Sequence, residues 1–274
     1  MTINIYPDEK TLGQSAARFV SEKLKSTIAT KGHANLILAT GASQFTFLDA
    51  LKKTDGINWS QVTVFHLDEY TGISEKHPAS FRRYLKERII DDVKPGEVHF
   101  MRGDHEPVAE EIARYSSLLD EAEIDIACIG IGENGHIAFN DPPVADFDDP
   151  LLIKKVKLDR ECRMQQVGEG WFDKIEEVPT HALSLTIPAI MKAKTISCVV
   201  PDERKAEAVK NTLEGTVSLS CPASILRKHT NCNLFLDTHS SSLLTSNQYP
   251  VTSRSPDKYR GRSRFIGATS NQQE

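Results

Sequence analysis

A chain of 274 residues with 39% hydrophobic and 26% charged residues has the composition of a soluble globular protein, in one large α/β domain or two small ones. The formal net charge of −5 and the pI near 6.0 argue against a nucleic-acid-binding protein, which would carry clustered positive charge. The N-terminus shows no secretory signal and no apolar run approaches about 20 residues, so we expect a cytoplasmic protein without a membrane span.

Apolar segments typical of buried strands alternate with helical patterns along most of the chain. The strand segments cover residues 35–40, 62–67, 124–132, 195–200 and 233–237. The helical patterns cover residues 12–29, 80–90, 107–122 and 202–215. Continuous apolar strands are buried on both faces, and their alternation with helices is typical of a parallel sheet. The sequence therefore predicts an α/β fold, a Rossmann-like, mostly parallel sheet with helices on both faces.

Two parts of the chain depart from this alternation. Residues 156–172 and 181–194 are less regular and predict an insert of strand, helix and strand laid against the main sheet. Residues 246–274 are rich in Ser and Arg and lack an apolar period, which predicts a disordered basic tail after a domain of residues 1–245. A solvated extension is the simpler interpretation of that tail, and a contact arm for an acidic partner is the alternative.

The cysteines form no pattern typical of a metal site or a disulfide framework. They are scattered without a CxxC pair, at Cys128, Cys162, Cys198, Cys221 and Cys232. Three of them lie among strand-like apolar residues, where a thiol behaves as a small hydrophobic side chain. We therefore expect buried structural thiols and no bound metal, because a zinc site needs several Cys or His ligands at suitable spacing.

Polar residues follow two of the predicted strands, at the edge of a parallel sheet where ligands bind. Gly41, Ala42 and Ser43 come after the strand at 35–40 and can direct backbone N–H groups at an anion. Asp68 and Glu69 follow the strand at 62–67. Strand alternation sends these two carboxylates to opposite faces, and this pattern alone leaves open which one is the functional acid.

A third polar stretch, "ENGHIAFND" at residues 133–141, follows the predicted strand at 124–132. A carboxylate and an imidazole in one pocket can move protons in opposite directions, as sugar isomerisation requires. Gly135 permits an unusual backbone φ, and His136 can take or give a proton near neutral pH. The alternative is that His136 caps a turn while Asp141 caps the following helix or binds the loop backbone.

Taken together, these motifs resemble the glucosamine-6-phosphate deaminase (isomerase) family. The resemblance runs from about residue 30 to 240 and is carried, in order, by "LATGAS", "VTVFHLDEYTGISEKHPASFRRYL" and "IDIACIGIGENGHIAFNDP". The wider superfamily also contains 6-phosphogluconolactonases, whose histidine loop usually reads more like "DGHTAS". The sequence "GHIAFN" at this position of the chain favours the deaminase branch.

The resemblance implies a role for each residue of the proton-transfer group. Asp68 is the base that moves a proton between C2 and C1 of the open-chain sugar, after which ammonia leaves and a ketose phosphate results. His136 acts in ring opening, supported by Asn134 and Asp141. The family commonly has Glu where this chain has Asp141, and the shorter side chain reaches on the order of 1 Å less far.

The resemblance also implies a phosphate site. Lys205 matches a lysine that binds the substrate phosphate together with the loop of Gly41, Ala42 and Ser43, and no metal or organic cofactor is required. Without the resemblance, Lys205 would be taken for a solvated residue in the first turn of a helix. A cationic Lys beside backbone donors suits a dianion.

Two departures from the family concern anion binding. A phosphate-binding arginine of the family aligns with Gly170, and Arg160 or Arg163 on the same predicted helix are the candidates to replace it. Residues that form an allosteric phosphate site in some bacterial members align with apolar positions, so we predict no such regulation. Those positions are Val144, Leu151 and Ile153.

The function expected from the resemblance is deamination and aldose–ketose isomerisation of an amino-sugar phosphate, glucosamine 6-phosphate and water giving fructose 6-phosphate and ammonia. The alternatives are a lactonase of the same fold, which needs the histidine but not the chemistry of Asp68, and a sugar-phosphate sensor without turnover. No helix-turn-helix pattern precedes the domain, which weighs against a DNA-binding sensor. The expected ligand is a small sugar phosphate, with no nucleic acid or membrane partner. A homo-oligomer remains open.

Overall fold

The computed structural model describes residues 1–245 and residue 249, and the strands of this part of the chain form two sheets. The strands are β1 (Thr2–Tyr6), β2 (Ala34–Leu38), β3 (Val62–His66), β4 (Asp68–Tyr70), β5 (Glu97–His99), β6 (Ile126–Ile129), β7 (Ile153–Lys157), β8 (His181–Leu185), β9 (Thr195–Val200) and β10 (Cys232–Asp237). The helices are α1 (Glu9–Lys31), α2 (Phe45–Leu51), α3 (Phe81–Leu85), α4 (Asp91–Val93), α5 (Val108–Glu121), α6 (Arg160–Gly168), α7 (Ile187–Met191) and α8 (Ala206–Glu214). A π-helical segment, Lys86–Ile90, joins α3 to α4.

The main sheet has seven strands in the order β1-β10-β9-β6-β2-β3-β5, and all of its pairings are parallel. The predicted α/β class is confirmed, and each of the five predicted strands has its counterpart in this sheet. The connections run outward in both directions from β2 and β6, so the strand order reverses between these two neighbours. A crevice opens at such a reversal, beyond the carboxyl ends of the strands.

Both faces of the main sheet are covered, which explains why its central strands are continuously apolar. In β2, Leu36 and Leu38 pack into a cluster with α1, α2 and α3, whereas Ile37 packs into a second cluster on the other face. All three side chains are fully buried. Burying apolar surface on both faces is the main favourable contribution to folding, and it keeps the strand ends in place.

A second, three-stranded antiparallel sheet differs from the expected insert. The predicted strand, helix and strand are present as β7, α6 and β8, but β8 pairs with β4 rather than with the main sheet. The partner strand β4 comes from residues 68–70, more than a hundred positions earlier in the chain, so local sequence patterns could not reveal the pairing. As a result, the chain passes from the main sheet to the small sheet at Asp68, and α6 comes to lie beside the crevice.

The outcomes of three further expectations differ. The five cysteines are buried and free, as predicted. No helix within residues 1–245 is long and apolar enough to cross a membrane. The predicted basic tail lies outside the described residues except for Tyr249, which packs against the main core, and the boundary after residue 245 stays a prediction.

Candidate functional site

One cavity of about 240 Å³ lies at the reversal of strand order. Its walls come from the segments that follow β9, β6, β2 and β3, four strands that are neighbours in the main sheet, and from α6. Among its lining residues are Gly41, Ala42, Ser43, Asp68, His136 and Lys205. The structure thus brings six of the eight predicted site residues to one cavity, although they lie far apart in the sequence.

The other two predicted residues, Asn134 and Asp141, lie behind the imidazole of His136. The Nδ1 atom of His136 is 2.8 Å from Asp141 Oδ1 and 2.8 Å from Asn134 Oδ1. The amide of Asn134 in turn donates a hydrogen bond of 2.8 Å to Asp141 Oδ1. With Nδ1 engaged in this way, Nε2 is the ring nitrogen left for a ligand. Asn134 and Asp141 therefore orient the imidazole and do not themselves line the cavity.

The shorter acid at position 141 does reach its partner. Burial would raise the pKa of Asp141, but the charge of His136 and hydrogen bonds from His136 and Asn134 outweigh it and hold that pKa below its ordinary value. Asp141 is 1% exposed, so its carboxylate is ionised next to the imidazole in a site with little solvent. The contact with His136 is therefore made by the shorter side chain.

Glycines allow the loop after β6 to place this imidazole. A Cβ on Gly132 would lie 2.1 Å from His136 Cε1, so the ring can occupy its position only against glycine. Gly135 has a φ of +85°, a conformation that other residues rarely adopt. Its carbonyl accepts a hydrogen bond of 2.8 Å from the backbone amide of Ala223. The buried side-chain amide of Asn140 donates a hydrogen bond of 2.8 Å to the Leu185 carbonyl. These contacts tie the loop to neighbouring elements on both sides.

Asp68 and Glu69 occupy opposite faces of β4, as strand alternation requires. Glu69 is fully buried and accepts hydrogen bonds from Ser80 Oγ and from the amides of Phe81 and Arg82, so its carboxylate anchors the start of α3. It also forms an ion pair of 3.2 Å with Arg82. Asp68 is the acid that faces the cavity. Of the two carboxylates, Asp68 lines the cavity and Glu69 does not, and the role of Asp68 as the functional acid stays a prediction.

The Asp68 carboxyl group is held in an unfavourable environment for charge. It is 7% exposed, and burial together with the nearby charge of Glu69 raises its pKa from 3.8 to about 8. Carboxyl groups with strongly raised pKa values that face a cavity are typical of functional sites. Asp68 therefore exchanges its proton near the pH at which many enzymes work.

The same cavity also contains groups that are suited to an anion. Gly41 has a φ of +99°, and its carbonyl accepts a hydrogen bond of 2.8 Å from Tyr84, which orients the turn that opens α2. Lys205 is not the solvated residue that its helix position alone would indicate, because its side chain is 7% exposed. Burial lowers the pKa of Lys205, while the carboxylates of Glu169 and Glu133 act in the opposite direction.

Neither arginine proposed to replace the family's phosphate ligand lines the cavity. Arg160 is exposed at the start of α6. Arg163 donates hydrogen bonds to the carbonyls of Ile175 and Val178 and so stabilises the segment after α6. The cavity is also lined by six polar residues that were not predicted from the sequence, of which Arg204 is next to Lys205 in the chain. They are Glu9, Gln165, Gln166, Glu169, Asp202 and Arg204.

Comparisons with known proteins point to one family. The model of the family described as glucosamine-6-phosphate isomerases/6-phosphogluconolactonase matches residues 7–150. A glucosamine-6-phosphate deaminase of Listeria monocytogenes is 37% identical over 241 residues, 88% of this chain and 99% of that protein. The solved structure of a monomeric glucosamine-6-phosphate deaminase has a TM-score of 0.82 at 31% identity and covers 89% of this chain and 100% of its own. A 6-phosphogluconolactonase from Shewanella baltica, at 16% identity and a TM-score of 0.72 over 86% of this chain and 97% of its own, shares the fold.

The two acids of the site should affect stability with opposite signs. Between its unfolded pKa of 3.8 and its folded pKa of about 8, Asp68 is ionised in the unfolded chain but protonated in the folded one, so stability falls as pH rises through this interval. The Asp68→Asn variant should therefore melt roughly 2 °C or more above the parent protein at pH 8, with a smaller difference at pH 5. Thermal unfolding followed by circular dichroism measures the difference.

Asp141→Asn is the matched comparison, because the lowered pKa of Asp141 contributes stability that is present above its unfolded pKa and lost as pH falls through the folded pKa. This variant should melt below the parent protein from pH 5 to pH 8. If Asp68→Asn melted at a lower temperature than the parent protein at pH 8, the buried Asp68 carboxylate would not destabilise the folded protein, and the prediction would be wrong.

Proposed function

Because the chain belongs to the glucosamine-6-phosphate isomerase/6-phosphogluconolactonase family, we propose that it converts glucosamine 6-phosphate and water to fructose 6-phosphate and ammonia. The observation that carries this proposal is the meeting of Asp68, His136 and Lys205 in one cavity. A base, a ring-opening group and a phosphate-binding cation are the three elements that the reaction needs. The predicted cytoplasmic location and the absence of a nucleic-acid partner suit a reaction on a small sugar phosphate and stay predictions.

The two ends of the cavity orient the sugar. The phosphoryl group binds at Lys205 and at the turn of Gly41, Ala42 and Ser43, where backbone N–H groups and an ammonium suit a dianion. Carbons 1 and 2 then lie at the end of the cavity that contains Asp68 and His136. Fixing the phosphoryl group in this way places the reacting carbons against the base and lowers the entropic part of the barrier.

His136 opens the sugar ring. Its Nε2 takes the proton of the C1 hydroxyl and returns a proton to the ring oxygen as the bond between C1 and that oxygen breaks, so the imidazole ends as it began. Asp141 and Asn134 hold Nδ1 at 2.8 Å each, and the negative charge of Asp141 stabilises the imidazolium that forms between the two transfers. The product of this step is the open-chain aldehyde.

Asp68 then moves a proton from C2 to C1. As Asp68 removes the C2 proton, the C1 oxygen takes a proton that the C2 ammonium group releases, and a neutral enolamine results. Return of the proton from Asp68 to C1 leaves a protonated imine at C2. Water adds to that carbon, the carbon–nitrogen bond breaks, and ammonia and the ketose phosphate are released. The ammonium group that the substrate carries at C2 lies beside Asp68 on binding and favours its ionised form, which offsets the cost of burial.

Replacing Asp68 by Asn should remove the base and leave the binding surface in place. We expect the rate of ammonia release from glucosamine 6-phosphate to fall about 10²- to 10⁴-fold, the usual contribution of a positioned base. Asp120→Asn, an exposed substitution on α5, is the matched control and should keep the parent rate. A coupled assay for ammonia with purified protein measures both.

Two outcomes would contradict the proposal. Equal rates of ammonia release from the parent protein and Asp68→Asn would reject Asp68 as the base. The protein would instead be a lactonase if it released no ammonia from glucosamine 6-phosphate but hydrolysed 6-phosphogluconolactone, and if Asp68→Asn hydrolysed that lactone at the same rate.

The raised pKa of Asp68 predicts the pH dependence of the reaction. The base is active when ionised, so kcat/KM should rise about tenfold per pH unit up to the pKa of about 8 and then level off. The substrate phosphate loses its second proton near pH 6, about two units lower, so the two titrations are distinguishable. Steady-state rates between pH 5 and pH 9 test this. A plateau that extends down to pH 5 would contradict an Asp68 base with a raised pKa.

A further inference from the structure

A second cation lies beside Lys205 at the phosphate end of the cavity. Arg204 lines the same cavity as Lys205 and also an adjoining groove formed between α6 and the start of the histidine loop. Its side chain is half exposed, in contrast to the buried Lys205, so the two cations approach the cavity from the rim and from its floor. Their arrangement places two positive charges around one volume.

Arg204 is held in this position by its neighbour Asp202. Its Nε and Nη2 atoms donate hydrogen bonds of 3.0 Å and 2.8 Å to Asp202 Oδ2, and its amide donates one of 2.9 Å to Asp202 Oδ1. Asp202 adopts a φ of +84°, which is costly for a residue with a side chain. Backbone strain of this kind persists where surrounding contacts impose it and is concentrated at functional sites.

The edge of the guanidinium that Asp202 leaves unused faces a carboxylate that both cations share. Glu133 Oε1 lies 3.7 Å from Arg204 Nη1 and 4.0 Å from Lys205 Nζ. Neither distance is that of a short hydrogen bond, so the carboxylate balances the two charges without tight pairing. Glu9, Glu169 and Asp202 line the cavity itself, whereas Glu133 lines the groove, so Glu133 is a carboxylate near both cations that lies outside the cavity.

We propose that Arg204 and Lys205 together bind the phosphoryl group of the substrate, and that Glu133 is the counter-ion that gives way when the phosphoryl group binds. The inference deepens the proposed function and rests on it for the identity of the phosphorylated substrate. A phosphate monoester carries about −1.5 to −2 charges at pH 7, which one lysine does not neutralise. Arg204 supplies the second charge, and its Nη1, which does not bond to Asp202, supplies an N–H donor for a phosphate oxygen.

The position of Arg204 distinguishes it from the other arginines near the site. Arg160 is exposed and Arg163 is engaged with backbone carbonyls, and neither lines the cavity. Arg204 is next to Lys205 in the chain and is carried by the same 3₁₀ turn, Glu203–Lys205. The turn therefore presents both cations from a single rigid segment at the end of β9.

The test measures phosphate affinity and turnover separately. Inorganic phosphate is titrated into the full chain by calorimetry, and KM and kcat are measured with glucosamine 6-phosphate. Arg204→Gln should raise the Kd for phosphate and the KM about 10-fold or more while kcat changes less than about 3-fold, because the contact is made equally in the ground and transition states. Arg204→Lys should recover part of the affinity. Arg160→Gln is the matched control and should bind phosphate as the parent protein does.

Two further variants separate binding from folding. Asp202→Gly suits the positive φ and releases Arg204, so it should keep the melting temperature of the parent protein or raise it while weakening phosphate binding. Glu133→Gln removes the competing carboxylate and should tighten phosphate binding, in the direction opposite to Arg204→Gln. If Arg204 and Glu133 had purely structural roles, Arg204→Gln and Glu133→Gln would both weaken phosphate binding.

The proposal is overturned if Arg204→Gln binds phosphate like the parent protein while Lys205→Gln loses binding, or if Arg204→Gln lowers kcat and leaves KM unchanged. Weaker or unchanged phosphate binding by Glu133→Gln contradicts its role as the counter-ion. Because inorganic phosphate is the probe, these results stand even if the protein releases no ammonia, so failure of the proposed function is seen separately.

Discussion

The reversal of strand order between β2 and β6 is the constraint on which the rest of the site depends. In a parallel sheet, every strand presents its carboxyl end to the same edge, and at a reversal the connecting segments turn away from each other and leave a crevice. The residues that follow β2, β3, β6 and β9 therefore meet, although they are as far apart in the chain as Gly41 and Lys205. The apolar core on both faces of the sheet keeps this edge rigid.

The same crevice makes the chemistry possible by excluding water from charged groups. Asp68 and Lys205 are both buried, and burial raises the pKa of the Asp68 carboxyl group and lowers that of the Lys205 ammonium group, so charging either group costs stability. A ligand with an ammonium group and a phosphoryl group relieves both costs. Asp141 differs because its partner, His136, belongs to the protein, so its charge is balanced without a ligand.

Much of this architecture was predictable from the sequence because it is encoded locally. The continuous apolar strands, the glycine turns after them and the histidine loop are patterns of a few residues, and the resemblance to a known family placed Asp68 and His136. The pairing of β4 with β8 was not predictable in this way, because it joins residues 68–70 to residues 182–184 and no local pattern specifies the partner. The position of α6 over the crevice follows from that pairing.

Local sequence patterns also could not predict which charged residues lie near Lys205. Arg160 and Arg163 were reasonable candidates by position in the chain, but the side-chain direction on α6 turns them away from the cavity. Arg204 carried a weak signal, its adjacency to Lys205, which acquires meaning only when the 3₁₀ turn and the contacts of Asp202 are seen. The proposed anion site therefore needed coordinates, whereas the proposed proton-transfer group needed mainly the motif.

The central claim is that one cavity binds the phosphoryl group of a sugar phosphate and places its C2 atom next to Asp68. A crystal structure with a reduced, open-chain amino-sugar phosphate, which lacks the C1 aldehyde and cannot react, tests it most directly. We expect phosphoryl oxygens within hydrogen-bond distance of Lys205 Nζ and C2 about 3–3.5 Å from the Asp68 carboxylate. A ligand bound in the reverse direction, or one that leaves Asp68 without contact to the sugar, would contradict it.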